Sequence, residues 1–109
     1  IFGNGGFEIV IGNPPYVRQE RIKEIKPYLK NNFDVYTGVA DLYVYFFEKG
    51  LQILKNDGKL GFISSNKFIK SNYGKKLREL IMKNTSFDRY VDHTWIKYLK
   101  VLQFIHLYL

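Results

Sequence analysis

Apolar residues along the chain alternate between strand-like runs and helix-like repeats. The run from Phe7 to Ile11 is short and rich in β-branched residues, which predicts a strand that stops at Gly12-Asn13-Pro14-Pro15. Residues Lys59 to Ser65 predict a second, buried strand, and Phe87 to Asp92 predict a third.

Between these strands the apolar residues recur at three- and four-residue steps, which is typical of helices. The clearest repeat runs from Val39 to Leu54, and another runs from Tyr73 to Asn84. A short helix is predicted from Arg18 to Lys26, closed by Pro27. Strands that alternate with helices indicate crossover connections, so the order predicts an α/β fold with three parallel strands and crossover helices.

The C-terminal residues 95–109 do not continue this pattern. Eleven of the fifteen are apolar, and the four polar residues fall at every third position: Lys97, Lys100, Gln103 and His106. That spacing gives a helix no polar face, and it does not alternate as a half-buried strand does. The segment is also shorter than the roughly 20 residues of a membrane-spanning helix, so no membrane association is expected.

Composition narrows the functional classes. Seventeen Lys and Arg against ten Asp and Glu leave a net charge of +7 and a pI near 9.6, which favours a polyanionic partner. The chain has no cysteine and only two histidines, so we expect neither a disulfide scaffold nor a metal site. A cysteine-free chain without a signal-peptide pattern is expected in the cytoplasm. It starts at Ile1 without an initiator Met, which indicates a piece of something larger, and its oligomeric state stays open.

The most informative segment is Asn13-Pro14-Pro15-Tyr16, at the end of the first strand. In an open parallel sheet, ligands bind beyond the carboxyl ends of the strands. Because the prolines restrict the backbone and lack N–H groups, the carbonyls of Asn13 and Pro14 and the Asn13 amide oxygen can project as acceptors beside the Tyr16 ring. This arrangement suits a planar substrate with an amino group. Two hydrogen bonds accepted from that group would localise its lone pair on nitrogen and make it a nucleophile.

The run FEIVIGNPPYV resembles the catalytic motif of amino-methylating, S-adenosylmethionine-dependent methyltransferases. The resemblance continues through YTGVADLYVYFFEKGLQILKNDGKLGFISSNKFIKSNYGKKLREL and into FDRYVD, and covers roughly Gly5 to Asp92. The longer pattern is similar to adenine-specific DNA methylases of restriction–modification systems, especially the fused restriction–methylation enzymes. It implies a partial Rossmann-like class I methyltransferase fold, S-adenosylmethionine as cofactor and DNA as partner.

The same resemblance implies catalytic roles for Asn13, Pro14, Pro15 and Tyr16. Asn13 and the Pro14 carbonyl would bind the N6 amino group of a flipped adenine, and Tyr16 would stack on that base. Flipping is required because N6 lies in a Watson–Crick pair inside the duplex. The implied reaction is direct in-line transfer of the methyl group to N6.

Three further residues are candidates for binding. Arg18 and Lys67 each follow a strand end that would face the substrate, so we expect both to contact DNA phosphates. Asp41, in the segment Asp41-Leu42-Tyr43, matches the family's helix beside the cofactor pocket and is a candidate cofactor ligand by resemblance.

The chain also departs from the family's pattern. The family's cofactor-binding glycine motif and its later acidic residue are both missing. The segment Phe2-Gly3-Asn4-Gly5-Gly6 does not replace the glycine motif, because it precedes a strand and cannot present helix N–H groups. We therefore expect the upstream strands to be missing and the chain alone to fold poorly and be inactive. The strand Phe7 to Ile11 would then have an unpaired apolar edge.

The resemblance divides the chain into residues 1–94, a partial methyltransferase catalytic domain, and residues 95–109, an atypical apolar tail. After FDRYVD the family continues into a hairpin. With permitted codons, a shifted reading frame of the tail encodes FEGATVYTSI, which is similar to that hairpin. One hypothesis is therefore a frameshifted read-through, which the nucleotide sequence tests; the alternative is a buried C-terminal segment.

Two other functions stay open. The same tetrapeptide could serve a methyltransferase that acts on a protein glutamine or on the amine of an RNA base. A non-catalytic basic fragment that binds nucleic acid through charge alone is the second alternative, and its binding would fall steeply with salt.

Overall fold

The computed structural model describes residues 2–92 and 101–107, with side chains placed for residues 2–86. The chain forms a four-stranded sheet, and the helices lie between the first three strands in sequence. The strands are β1 (Phe7–Gly12), β2 (Leu54–Ser64), β3 (Thr85–Asp92) and β4 (Val101–Leu107). The helices are α1 (Lys26–Asn32), α2 (Tyr43–Ile53) and α3 (Lys75–Asn84).

The strands lie in the order β1-β2-β4-β3. β1 pairs with β2 in parallel, whereas β4 is antiparallel to both β2 and β3. Two antiparallel steps restore the direction, so β1, β2 and β3 all run the same way, which confirms the α/β fold with three co-directional strands. The sequence did not predict that β3 would be separated from β2 by another strand.

β4 corrects the interpretation of the tail, where no strand was predicted. Residues Val101–Leu107 pair along both edges, for example Leu60 with Ile105 and Phe87 with Ile105. Interior strands read as continuous apolar runs when both faces are covered, so the missing alternation did not argue against a strand. Residues 95–100 and 108–109 of the tail lie outside the described residues, and the frameshift hypothesis stays a prediction.

The helix predicted from Arg18 to Lys26 is wrong. Gln19–Arg21 and Lys23–Ile25 form two 3-10 turns, and α1 starts where the predicted helix ended. Pro27 lies in the first turn of α1, where a missing N–H breaks no helical hydrogen bond and the fixed φ favours a start. Proline here begins a helix instead of closing one.

The core lies between one face of the sheet and helices α2 and α3. On α2 the buried side chains include Val44, Phe47 and Leu51, and the ring of Phe47 meets that of Phe62 on β2 at 5.0 Å. On α3, Leu77, Leu80 and Ile81 are buried, as its repeat predicts. α2 begins at Tyr43 and not at Val39, because the Ala40 N–H bonds the Thr37 carbonyl three residues back and the Leu42 N–H bonds the Val17 carbonyl.

The opposite face of β1 is exposed among the described residues. Phe7, Ile9 and Ile11 point to that face, and Ile9 and Ile11 are 67% and 77% exposed. β1 also lies at one end of the strand order and pairs only with β2 in the part of the chain that the structure describes. The predicted unpaired apolar edge is therefore present.

Candidate active site

Two loops meet at the carboxyl ends of β1 and β2. The strands are parallel neighbours and Gly12 lies opposite Phe62, so the segments that follow them emerge at the same edge. They enclose an open cleft of about 590 Å³. Its lining residues come from the ends of both strands and from both loops: Asn13, Pro14, Pro15, Tyr16, Arg18, Ile63, Ser64, Ser65, Asn66 and Lys67.

The cleft brings together six of the seven predicted site residues. Four come from the loop after β1 and carry the predicted catalytic chemistry, and the other two are the predicted DNA contacts: Asn13, Pro14, Pro15, Tyr16, Arg18 and Lys67. The roles assigned to these residues stay predictions.

The start of the loop is held by packing. Pro14 is buried while Asn13 and Pro15 are exposed, so one proline anchors the segment and its neighbours face solvent. A Cβ on Gly12 would lie 3.2 Å from the Phe62 ring, closer than ordinary contact. The absence of a Cβ on Gly12 therefore lets the Phe62 ring lie close to the end of β1, next to Asn13 at the mouth of the cleft.

Tyr16 and Lys67 join the two loops directly. The Lys67 ammonium donates a hydrogen bond to the Tyr16 hydroxyl at 2.7 Å, and its nitrogen lies 5.2 Å from the centre of the ring. Tyr16 is 44% exposed, so part of its ring stays open to a ligand. Lys67, predicted from sequence as a phosphate contact, thus also restrains the predicted base platform.

A buried layer lies behind Tyr16. The ring of Tyr43 is fully buried and meets the Tyr16 ring at a centroid distance of 5.9 Å. The Tyr43 hydroxyl hydrogen-bonds that of Tyr73 at 2.9 Å, and the Tyr73 hydroxyl donates to Asp41 Oδ2 at 3.4 Å. Burial raises the pKa of Tyr43 far above its ordinary value and also raises the pKa of Tyr73, so both phenols stay protonated at neutral pH.

Asp41 lies in this buried layer and not on the wall of the cleft. It is 7% exposed, and its Oδ1 accepts a hydrogen bond from the backbone N–H of Gln19 at 2.9 Å. The structure therefore does not bring Asp41 to the other predicted site residues. Cofactor binding by Asp41 stays a prediction.

The charges at the cleft suit an anionic substrate. Among the described residues that line it, Arg18 and Lys67 are cationic and none is a carboxylate. Arg18 is exposed at the side of the loop that leads into the first 3-10 turn. A phosphate at the rim would meet these two cations without acidic competition.

A second groove borders the same loop from the other side. It measures about 270 Å³ and is shared between the end of β1 and the face of α2. Its walls are mainly apolar, with Lys49 the one charged residue among those described: Val10, Ile11, Gly12, Asn13, Pro14, Pro15, Phe46, Lys49, Gly50, Ile53 and Phe62. Asn13, Pro14 and Pro15 therefore separate a polar cleft from an apolar groove.

Sequence reasoning missed the structural roles of Tyr43 and Tyr73. The helical repeat identified Tyr43 as a core residue but did not place its ring behind Tyr16. Tyr73 was read only as the start of a helix, and no local pattern links it to Asp41, 32 positions earlier.

The described residues contain no group of three or more potential ligands that could hold a metal ion. In the same part of the chain, no helix is long and apolar enough to cross a membrane.

Solved structures support the fold. A protein from Listeria monocytogenes assigned to the class I S-adenosylmethionine-dependent methyltransferases superposes with a TM-score of 0.74 at 17% sequence identity. The match covers 95% of this chain and 32% of the other. The Rossmann-like class I methyltransferase fold, in partial form, is confirmed.

Sequence comparisons connect the chain to restriction–modification enzymes. It is 48% identical over 88 residues to the type II methyltransferase M.BstVI of Geobacillus stearothermophilus, covering 79% of this chain and 16% of that protein. It is 34% identical over 96 residues to the type II restriction enzyme and methyltransferase RM.Eco57I of Escherichia coli, covering 82% and 9%. The chain thus spans a small part of the length of these relatives. A family model, the Eco57I restriction-modification methylase, matches residues 1–96, and the chain belongs to that family.

Proposed function

We propose that this chain is the substrate-amine side of a DNA methyltransferase that transfers the methyl group of S-adenosylmethionine to adenine N6. The observation that carries the proposal is the cleft in which Asn13, Pro14 and Tyr16 lie together with Arg18 and Lys67. Membership in the restriction–modification methylase family supports methyl transfer to DNA. The relatives M.BstVI and RM.Eco57I are both named as type II methyltransferases.

The cleft provides what a planar amine requires. Asn13 is exposed at its mouth, and the Asn13 side-chain oxygen and the Pro14 carbonyl can accept both hydrogens of an amino group. Accepting these bonds would localise the nitrogen lone pair for attack on a methyl donor. The sulfur of the donor would keep the electrons of the broken bond as a neutral thioether, and the methylated nitrogen would release one proton to water. The volume of about 590 Å³ falls within the range of about 300–1,000 Å³ that ligand pockets show.

Tyr16 and the cations favour a nucleic-acid base over a side-chain amide. A half-exposed aromatic ring offers a stacking surface to a base, which contributes about 1–3 kcal/mol. The cationic rim supplied by Arg18 and Lys67 suits the phosphates on either side of a flipped nucleotide.

The residues of this chain fit only part of the cofactor. S-adenosylmethionine supplies an electrophilic methyl group on a sulfonium when it is bound. The apolar groove on the other side of Asn13, Pro14 and Pro15 can receive an apolar or planar portion beside the bound amine. No carboxylate is among the described residues of that groove, so hydroxyl groups of a ribose have no acidic partner there. The segment of glycines before β1 pairs with Lys55 and Leu54, and it leads into a strand.

Methyl transfer tests the proposal. The chain is expressed with the coding sequence that precedes it in the gene and supplied with labelled S-adenosylmethionine. Duplex DNA, RNA and release-factor protein are offered as substrates. We expect label in duplex DNA as N6-methyladenine, identified after digestion to nucleosides. Label in RNA or in glutamine would instead establish one of the alternative substrates.

The variant Asn13→Ala gives the matched test of mechanism. Removing an acceptor used in the transition state should lower the rate by at least about 100-fold. Asn32→Ala serves as control, because the Asn32 side chain donates to the Tyr28 carbonyl on α1 and does not line the cleft among the described residues. Full activity of the Asn13 variant would refute the role of the loop. The 109-residue chain alone should be inactive, and measurable methylation of DNA by it would contradict that expectation.

A further inference from the structure

We propose that Asp41, Tyr73 and Tyr43 form a buried hydrogen-bonded support that positions the Tyr16 ring, and that Asp41 is a positioning residue of this site. The inference rests on the proposed function in one respect, which is that Tyr16 is the surface on which the substrate base stacks. Its structural basis is independent of the substrate.

The direction of the hydrogen bonds follows from the number of hydrogens. The Tyr73 hydroxyl has a single hydrogen, which it donates to Asp41 Oδ2 at 3.4 Å. It must therefore accept the bond that joins it to Tyr43 at 2.9 Å, so the Tyr43 hydroxyl is the donor. The Tyr43 hydroxyl therefore donates to Tyr73, and the Tyr73 hydroxyl donates to Asp41.

The support connects the two loops of the cleft. Asp41 Oδ1 accepts from the Gln19 N–H at 2.9 Å, and the Leu42 N–H donates to the Val17 carbonyl at 2.9 Å, so both bonds hold the loop after β1. Tyr73 belongs to the segment after β2. The buried Asp41 carboxylate, the buried Tyr43 phenol and the partly buried Tyr73 phenol therefore join the loop that carries Tyr16 to the loop that carries Lys67.

The contact with Tyr16 is made by a ring that cannot move freely. Tyr43 has no exposed surface, and its ring also meets those of Phe68 at 6.4 Å and Tyr73 at 6.5 Å. Its hydroxyl is held by the bond to Tyr73. Tyr16 thus rests on an immobilised ring on one side and is bonded by Lys67 at its hydroxyl.

A positioning role explains why a carboxylate is buried at this point. An isolated carboxylate is expensive to remove from water, and hydrogen-bond donors are needed to offset that loss. Asp41 has one backbone and one phenol donor, and each comes from a segment that leads to the cleft. Asp41 therefore sets the distance between these segments without touching the substrate.

The spectroscopic test uses the chain within the full-length protein, as in the methyl-transfer assay, and needs no substrate. With ring-labelled tyrosine and a Tyr16→Phe variant for assignment, we expect contacts between the Tyr16 and Tyr43 rings in NMR spectra. Tyr73→Phe removes the central hydroxyl and keeps the ring, and it should shift and broaden the Tyr16 resonances. Asp41→Asn, which removes the charge and keeps the size, should act in the same direction.

Tyr45→Phe is the matched control. Tyr45 is also a buried tyrosine of α2, but its hydroxyl bonds the Thr37 carbonyl and its ring has no contact with Tyr16. It should leave the Tyr16 resonances in place. Equal effects of the Tyr45 and Tyr73 variants would show general loosening and overturn the inference, as would the absence of any contact between Tyr16 and Tyr43 in the unaltered chain.

Binding of a base gives the second readout. A single-stranded oligonucleotide with one 2-aminopurine reports stacking by fluorescence quenching. Tyr73→Phe removes the hydroxyl that bonds both Tyr43 and Asp41 and should weaken binding of the oligonucleotide by at least about fivefold, and Tyr45→Phe should not. Altered Tyr16 resonances without any binding by the parent chain would leave the support in place and count against the proposed function. Tight binding by the parent chain together with unaltered Tyr16 resonances in the Tyr73 variant would support the proposed function and overturn the inferred support of Tyr16.

Discussion

The two sides of the segment Asn13 to Pro15 differ in polarity and in whether a second loop of the chain faces them. On one side, the loop after β2 approaches and places Lys67, Ser65 and Asn66 opposite Tyr16 in a cleft with cationic and hydroxyl groups. On the other side, β1 has no further strand among the described residues, and the groove is bounded by apolar groups of β1, β2 and α2. The polar side is thus assembled from residues of this chain on both walls.

Under the proposed function, the polar side would be the half of the site that binds the substrate amine. Such a half requires acceptors and a stacking surface, and the residues proposed for both lie at two parallel strand ends. The apolar side is bordered by the exposed face of β1, where Ile9 and Ile11 have no covering side chains among the described residues. A change on the polar side should therefore affect base binding, and a change on the apolar side should affect self-association of the chain.

The largest effect is expected at the base platform. Tyr16→Ala should weaken binding of a 2-aminopurine oligonucleotide by about tenfold to a hundredfold, because the stacking contact is lost. Tyr16→Phe keeps the ring and loses only the acceptor of the Lys67 hydrogen bond, so a loss of about threefold is expected. Fluorescence titration measures both. Tyr28→Ala, at an exposed tyrosine of α1, should bind as the parent does, and equal affinities for all three variants would contradict stacking on Tyr16.

A change in the packing of the loop after β2 should destabilise the polar side of the segment and leave the apolar side unchanged. In Gly74→Ala the added methyl group would meet the backbone of Phe68, next to Lys67, so the loop after β2 must shift. We expect a loss of about 1–3 kcal/mol in the free energy of unfolding, measured with urea. Gly6→Ala is the control, because a Cβ there meets no atom within 4 Å. An unchanged unfolding midpoint for the Gly74 variant would show that this loop tolerates displacement.

The apolar side should respond to an added charge. Ile9→Lys places an ammonium on the exposed face of β1, which should lower the self-association constant of the chain by about tenfold, since burying an Ile contributes about 1.5–3 kcal/mol. Analytical ultracentrifugation measures the change. Met82→Lys alters an equally exposed apolar residue on α3 and should have little effect. Similar results for both variants would mean that the face of β1 has no special tendency to associate.

The smallest effect is expected at Glu48 of α2, whose side chain lines neither the cleft nor the apolar groove. Glu48 is buried, and burial raises its pKa above 4.5. A carboxyl with a raised pKa in the fold contributes stability below its unfolded pKa and loses it as pH rises through the folded pKa. Glu48→Gln should therefore be more stable than the parent at pH 7, and the difference should shrink below pH 4.5.

Urea unfolding at several pH values between 4 and 8 checks this expectation. Glu79→Gln, at an exposed position of α3, is the control and should show no comparable change with pH. Greater stability of the parent at pH 7 would show that the bonds from Val35 and Gln52 outweigh the burial of the charge. Base binding should be unaffected, because Glu48 lines neither groove.

The elements that sequence predicted well are those with strong local signals. β1 and α3 were found within about two residues, because β-branched runs and three-to-four spacing act over short stretches. The region around Pro27 was misread because proline is compatible with both the end and the first turn of a helix. β4 was missed because only its two neighbours, β2 and β3, make its apolar run a strand.

By itself, the sequence determined the strand that ends in Asn13-Pro14-Pro15-Tyr16, because proline geometry and β-branched side chains act on adjacent residues. Only the tertiary structure decided that Lys67, 51 positions later, bonds Tyr16, and that Asp41 is joined to Tyr73 behind it. Such contacts depend on which strands pair and in which register. Pairing energy comes from groups far apart in the chain, and no local pattern records it.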